Sequence, residues 1–143
     1  MDAIKYLSQV KTKAIALKEL ELQLAEIRDR AIGQGSPDIA KLNIMTSLPK
    51  DAMAEAIAEY ADLLDVYYNR KRDYVRTRSR AVRFLKTYTY CDLHYNLLYL
   101  RFIECKTYGE IGKMYGINYK KAQSETRWAT RVLVRTCEAI DTL

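Results

Sequence analysis

Apolar residues recur along the first 31 positions with a spacing of seven. Ala3, Val10, Leu17, Leu24 and Ala31 hold one position of the repeat, and Tyr6, Lys13, Leu20 and Ile27 hold the companion position three residues on. This is an a/d seam on a helix, interrupted by one polar residue at Lys13. No Gly or Pro falls within 2–32, so a single helix is predicted there. Ile15 and Leu22 lie off the seam and are expected to widen its apolar face. A helix this long cannot satisfy such a seam alone and needs a partner helix.

Gly33-Gln34-Gly35-Ser36-Pro37-Asp38 stops the pattern, and two glycines with a proline predict a loop. The segment 39–48 (IAKLNIMTSL) fits either a short helical turn or an ordered loop. Pro49-Lys50-Asp51 then opens a second helix, with Pro at or near its first turn. Residues 50–86 lack Gly and Pro, and Met53, Ile57, Tyr60, Leu64, Tyr67, Tyr74 and Leu85 continue a heptad seam with Lys71 and Arg78 as gaps. The prediction is a coiled-coil-like antiparallel hairpin over 1–86, joined by the loop 33–49. The same seam could build a homodimer; we read the intramolecular hairpin first and dimerisation through leftover apolar surface second.

From residue 87 the pattern changes. TYTYC (87–91) breaks the helix, and Asp92 is a plausible N-cap for a third helix over 93–105, with Leu97, Leu98, Leu100, Phe102 and Ile103 as core positions. Thr107 is the next N-cap, opening a short helix over 108–115, with Glu110 placed as in a capping box. Gly116-Ile117 makes a turn, and Asn118 caps a last helix over 119–141. The fold class is therefore all-α: a long helical hairpin (1–86) followed by a three-helix module (87–143).

Charge sharpens the division. The chain carries a net +6, yet residues 1–65 hold 8 Lys/Arg against 11 Asp/Glu, while residues 66–143 hold 16 against 7. A basic C-terminal half suggests a polyanionic partner, and the acidic arm suggests a different task. Arg70, Lys71, Arg72, Arg76, Arg78, Arg80, Arg83 and Lys86 concentrate positive charge on the second helix. The bland reading of that run is a solvated face. At 143 residues, 49% of them apolar, the chain can bury a core but is too short for a two-domain dinucleotide-dependent enzyme. Three cysteines (Cys91, Cys105, Cys137) and one histidine (His94) make no zinc set at usual spacings, so no metal or cofactor is expected. Without a signal segment or an apolar run near 18 residues, the reading is a cytoplasmic protein with reduced, mostly buried thiols and no membrane partner.

The stretch Thr107–Leu133 carries the functional signal. A short helix, a tight turn containing Gly and a longer basic helix form a helix-turn-helix layout. Ile111 packs inward, Gly112 lets the helices approach, and Gly116 supplies the positive φ of the turn. Ile117 packs beneath it, Ala122 sits at the crossing, and Ala129 and Leu133 extend the buried stripe. The exposed side of the last helix shows Tyr119, Lys120, Lys121, Gln123, Ser124, Arg127 and Arg131. Of these, Lys120, Gln123, Ser124 and Arg127 are candidates to reach base edges. Lys121, Arg131 and the basic run that includes Arg76, Arg80 and Arg83 are candidates to hold phosphates. The positive end of the last helix's dipole would also face phosphate.

Residues 92–133 resemble region four of bacterial sigma factors, most clearly in LLYLRFIECKTYGEIGKMYGINYKKAQSETRWATRVL. Tyr108, Glu110, Ile111, Gly116, Ile117, Ala129 and Leu133 fall on that family's pattern. The whole-chain plan is also similar to phage late transcription regulators of the ArpU and RinA type. The resemblance implies a promoter-binding activator of phage late genes, acting with host RNA polymerase in the host cytoplasm. Asn118 stands where Ser is usual, Gly112 replaces Ala, Lys121-Ala122 replaces Thr-Val, and Glu125-Thr126 brings polar residues where an apolar one often completes the core.

Two other tasks fit parts of the pattern. A small terminase subunit or packaging adaptor also joins a helix-turn-helix to an oligomerising hairpin. A non-DNA-binding module could instead occupy the sigma-binding surface of host RNA polymerase. Eleven of the twelve tyrosines lie between residues 60 and 119; they read as core or interface rather than a base-stacking platform. Trp128 reads as a packing or partner anchor rather than a base contact. An enzyme is not expected: His94 has no nucleophile at a recognisable spacing, Cys105 reads as a buried thiol, Gly33-Gln34-Gly35 does not follow a strand, and Asp62 and Asp65 are explained by solvation.

Overall fold

The computed structural model describes residues 2–32 and 50–142. The described residues are α-helical apart from short connections and contain no strand. Helix α1 spans Ala3–Ile32, α2 Lys50–Tyr88, α3 Asp92–Leu98, α4 Tyr108–Tyr115 and α5 Tyr119–Asp141, and a π-helical turn, Tyr99–Ile103, follows α3 directly. The predicted loop over 33–49, with the ambiguous stretch 39–48, lies outside the described residues.

The chain divides into two compact units, Met1–Ala14 with Tyr74–Leu143, and Ile15–Asp73. In the second, α1 and α2 pack as an antiparallel pair. Arg30 meets Glu59 at 3.6 Å and the Tyr67 hydroxyl donates to Glu21 Oε1 at 3.0 Å, so partners fall in number on α2 as they rise on α1. That hydrogen bond raises the Tyr67 phenol above its ordinary pKa, with desolvation adding to it. The seam residues Leu17, Leu24 and Ile27 are buried. Ile15 and Leu22 do not widen the face as expected; both are exposed, Leu22 by 65%. At about 100° per residue each is turned more than a quarter circle from Leu17, and among the described residues α1 meets one helix here, α2. Met53 and Ile57 are also exposed. The Arg30–Glu59 pair sets the end of α1 opposite Ile57, and no further turn of α1 covers them.

The other unit is built around a core of Ala3, Leu7 and Val10 from α1, Ala81, Phe84 and Leu85 from α2, Leu98 and Ile103, and Ala129, Leu133 and Cys137 from α5. Lys13, the polar break in the seam, donates to Thr77 Oγ1 at 2.7 Å. Half-buried Tyr6, Tyr74, Tyr88, Tyr95 and Tyr99 pack against this core, whereas Tyr68, Tyr90, Tyr115 and Tyr119 are exposed. The unit's boundary thus falls within the two long helices, and the first three turns of the chain belong with the last helix.

The third helix departs from its prediction. Cys91, not Asp92, is the N-cap residue, and Asp92 is the first helical residue, where its carboxylate meets the positive end of the dipole. The helix does not continue evenly to 105. The last turn widens, with Glu104 N donating to Tyr99 O at 3.1 Å, and closes on Cys105 at φ 56°, where Lys106 N donates to Leu100 O at 2.9 Å. A left-handed residue ends helices frequently, but it is usually Gly. Cys105→Gly is therefore expected to raise stability by about 1 kcal/mol, checked by thermal unfolding, because the left-handed conformation costs a side-chain-bearing residue about that much. The thiols are less buried than expected: Cys137 is buried, Cys105 half-buried and Cys91 exposed. Burial pushes the Cys137 thiol up from its ordinary pKa, and the nearby Asp141 carboxylate adds to the shift.

Candidate nucleic-acid interface

The helix-turn-helix is α4, its turn and α5. Thr107, in an extended conformation, accepts from Glu110 N at 3.2 Å and starts α4. Gly116 ends it in the left-handed region at φ 67°, ψ 31°. Asn118 then accepts from Lys121 N at 2.8 Å and starts α5. Two side-chain caps and one left-handed glycine thus set the bend within twelve residues.

Packing fixes the angle between the helices. Ile111 and Ala122 are fully buried together with Leu97, and half-buried Leu100, Tyr108 and Ile117 pack around them. Gly112 is the point of closest approach: its carbonyl accepts from the Gly116 and Ile117 amides, and a Cβ on it would lie 2.7 Å from Ile117 O. Thr126, unusual for a core position, is 1% exposed, and its hydroxyl donates to Ala122 O at 2.7 Å. The back-bond satisfies the buried oxygen, so the polar residue costs the core little.

The buried stripe of α5 (Ala122, Thr126, Ala129, Leu133, Cys137) leaves the opposite face to solvent. On it Lys120, Gln123, Ser124, Arg127 and Arg131 line one open depression, with Glu125 and Trp128. All five were predicted to face DNA; Gln123 is half-buried at the edge, and the other four are exposed. The depression does not include Tyr119 or Lys121. Tyr119 turns toward α4, its ring edge-on to Tyr108 at 5.8 Å, and the Arg101 guanidinium stacks 4.2 Å from the other ring of that pair, Tyr108. Arg101 is held in turn by Lys106 O at 3.1 Å. These three side chains brace the start of α5, and Tyr119 remains 54% exposed. Trp128 is 48% exposed and lies outside the two core clusters of the described residues.

The arginines of α2 behave differently among themselves. Arg76, Arg80 and Arg83 are exposed, at helical spacing, on the side away from Ala81 and Leu85. They do not line the α5 depression. Arg78, part of the same basic run, is engaged: it donates to the Tyr99 hydroxyl at 2.9 Å and to Glu104 Oε1 at 3.3 Å. It ties α2 to the π-helical turn while its side chain stays 40% exposed.

The sequence reading missed Leu7 and the Arg101–Tyr108–Tyr119 brace. Leu7 had a signal, since Ala3, Leu7 and Val10 follow the i, i+4, i+7 spacing of one helical face. The brace joins residues from three elements and has no local signature. Among the described residues no three His, Cys, Asp or Glu side chains converge as a metal site, and no helix is long and apolar enough to cross a membrane. No protein-family model, curated protein or solved structure matches the chain.

Proposed function

We propose that this chain is a sequence-specific, double-stranded DNA-binding transcription regulator. The reading rests on the face of α5. A capped, glycine-turned second helix presents Lys120, Gln123, Ser124, Arg127 and Arg131 along one exposed depression, opposite the stripe that holds it in the fold. Arg supplies paired donors for the guanine edge and Gln a donor and an acceptor for the adenine edge, while Lys and Ser reach phosphates and nearby bases. Arg76, Arg80 and Arg83 add a second basic surface for sequence-independent affinity. The resemblance to sigma region four and to phage late regulators extends the proposal to activation of phage late genes with host RNA polymerase.

The test is binding to a pool of duplex fragments from the chain's own genome between ~50 and ~200 mM salt, a range over which phosphate-driven affinity collapses. One fragment retained at the upper end supports the reading; uniform binding that vanishes with salt overturns it. On the retained fragment, Arg127→Ala is expected to lose at least ~1 kcal/mol of specific binding at fixed salt. Unchanged affinity in a titration would remove Arg127 from the base-reading set.

A further inference from the structure

Two side chains in the α5 depression are foreign to a surface that only holds phosphates. Glu125 places a carboxylate beside four basic or amide groups, and Trp128 places a large half-exposed indole among them. Phosphate binding gains from positive charge alone; a carboxylate subtracts from it and an indole adds nothing. Neither is spent on the core, which the stripe from Ala122 to Cys137 fills. Base edges in the major groove, in contrast, offer what these two groups take up. The cytosine amino group donates to a carboxylate, and the thymine methyl accepts an apolar contact.

We propose that Glu125 and Trp128 are specificity-determining residues of the DNA-binding face, with Glu125 selecting a cytosine and Trp128 the methyl group of a nearby thymine. The inference rests on the DNA-binding reading above. Three residues along a helix advance about 4.5 Å, against about 3.4 Å per base along a strand. The two side chains therefore address the same or neighbouring base pairs, and the site carries cytosine and thymine in close succession. Glu125 also acts against every other sequence, because its charge faces phosphates and unpaired acceptors wherever no amino group meets it.

The experiment selects bound duplexes from a random pool with the full-length wild-type chain, Glu125→Gln and Trp128→Ser, each first shown to melt as the wild type does. Glutamine pairs with adenine where glutamate pairs with cytosine. Glu125→Gln is therefore expected to change one position of the selected site from cytosine to adenine and to bind a non-specific duplex several-fold more tightly. Replacing thymine by uracil in the selected site removes only the methyl. It should weaken the wild type about three- to ten-fold and leave Trp128→Ser unaffected. An identical site selected by Glu125→Gln, or equal losses on uracil substitution in wild type and Trp128→Ser, would overturn the assignment while leaving DNA binding intact. A wild-type chain that enriches no sequence would overturn both the assignment and the function it rests on.

Discussion

Gly112→Ala is expected to lower the stability of the whole chain and to damage DNA binding further than that loss accounts for. The added Cβ would meet Ile117 O at 2.7 Å and Asn118 O at 3.5 Å, both backbone atoms of the turn. A backbone carbonyl at this crossing cannot swing aside as a long side chain can, and overpacking of this kind costs about 1–3 kcal/mol. Alanine recovers about 0.5–1 kcal/mol of that through its better helical propensity. The net is a destabilisation of up to about 2.5 kcal/mol, at its upper end several degrees in Tm for a chain of this size. Relief of the clash must move the turn that carries the Asn118 cap, so α5 shifts against α4 and its face is misaligned. Gly109 is the control. A Cβ there meets only Thr107 Oγ1 at 3.8 Å and Tyr119 Cδ2 at 4.0 Å, ordinary contacts, so Gly109→Ala should hold or raise Tm. Thermal unfolding of the two variants side by side decides the point. A Gly112→Ala protein as stable as wild type would show that the crossing has slack and that Ala serves equally well there.

The second large effect concerns where the unit that carries the helix-turn-helix ends. A fragment of residues 87–143 contains every helix of the helix-turn-helix but lacks Ala3, Leu7, Val10, Ala81, Phe84 and Leu85, more than half of the core on which α5 packs. It is expected to show no cooperative thermal transition by circular dichroism. In the full chain, Leu7→Ala should cost about 2–5 kcal/mol, since Leu7 is fully buried and a truncated leucine leaves a cavity. That is a large share of the stability of an ordinary domain. The loss should appear as weaker DNA binding near the melting range, although Leu7 lies more than a hundred residues from Arg127 in sequence. A sharp melt for 87–143 alone would show that the short helices and α5 suffice, and that the start of α1 is an addition to a finished fold.

The elements themselves were legible in the chain because their causes are local. Heptad spacing, the Thr107 and Asn118 caps and the left-handed Gly116 each act within one or two turns, and α4 and α5 begin and end where those signals stand. The third helix was misjudged because its π-helical turn depends on contacts made elsewhere. Arg78 from α2 grips Tyr99 and Glu104, while Arg101 reaches forward to Lys106 and Tyr108. The off-seam residues Ile15 and Leu22 were misplaced for a related reason. A sequence shows that a helix has two apolar sides but not how many partners will come to cover them.

For the candidate site the division is similar. Periodicity in the sequence was enough to put Lys120, Ser124, Arg127 and Arg131 on the exposed side of a basic helix, because a helix fixes which residues share a face. Only the tertiary structure decided that Tyr119 turns to brace Tyr108, that Arg78 pairs with Tyr99 and Glu104, that Trp128 and Glu125 stand in the depression, and that the first turns of α1 close the core behind α5. Each of these depends on groups distant in sequence meeting in space, and helical periodicity carries no information about such meetings.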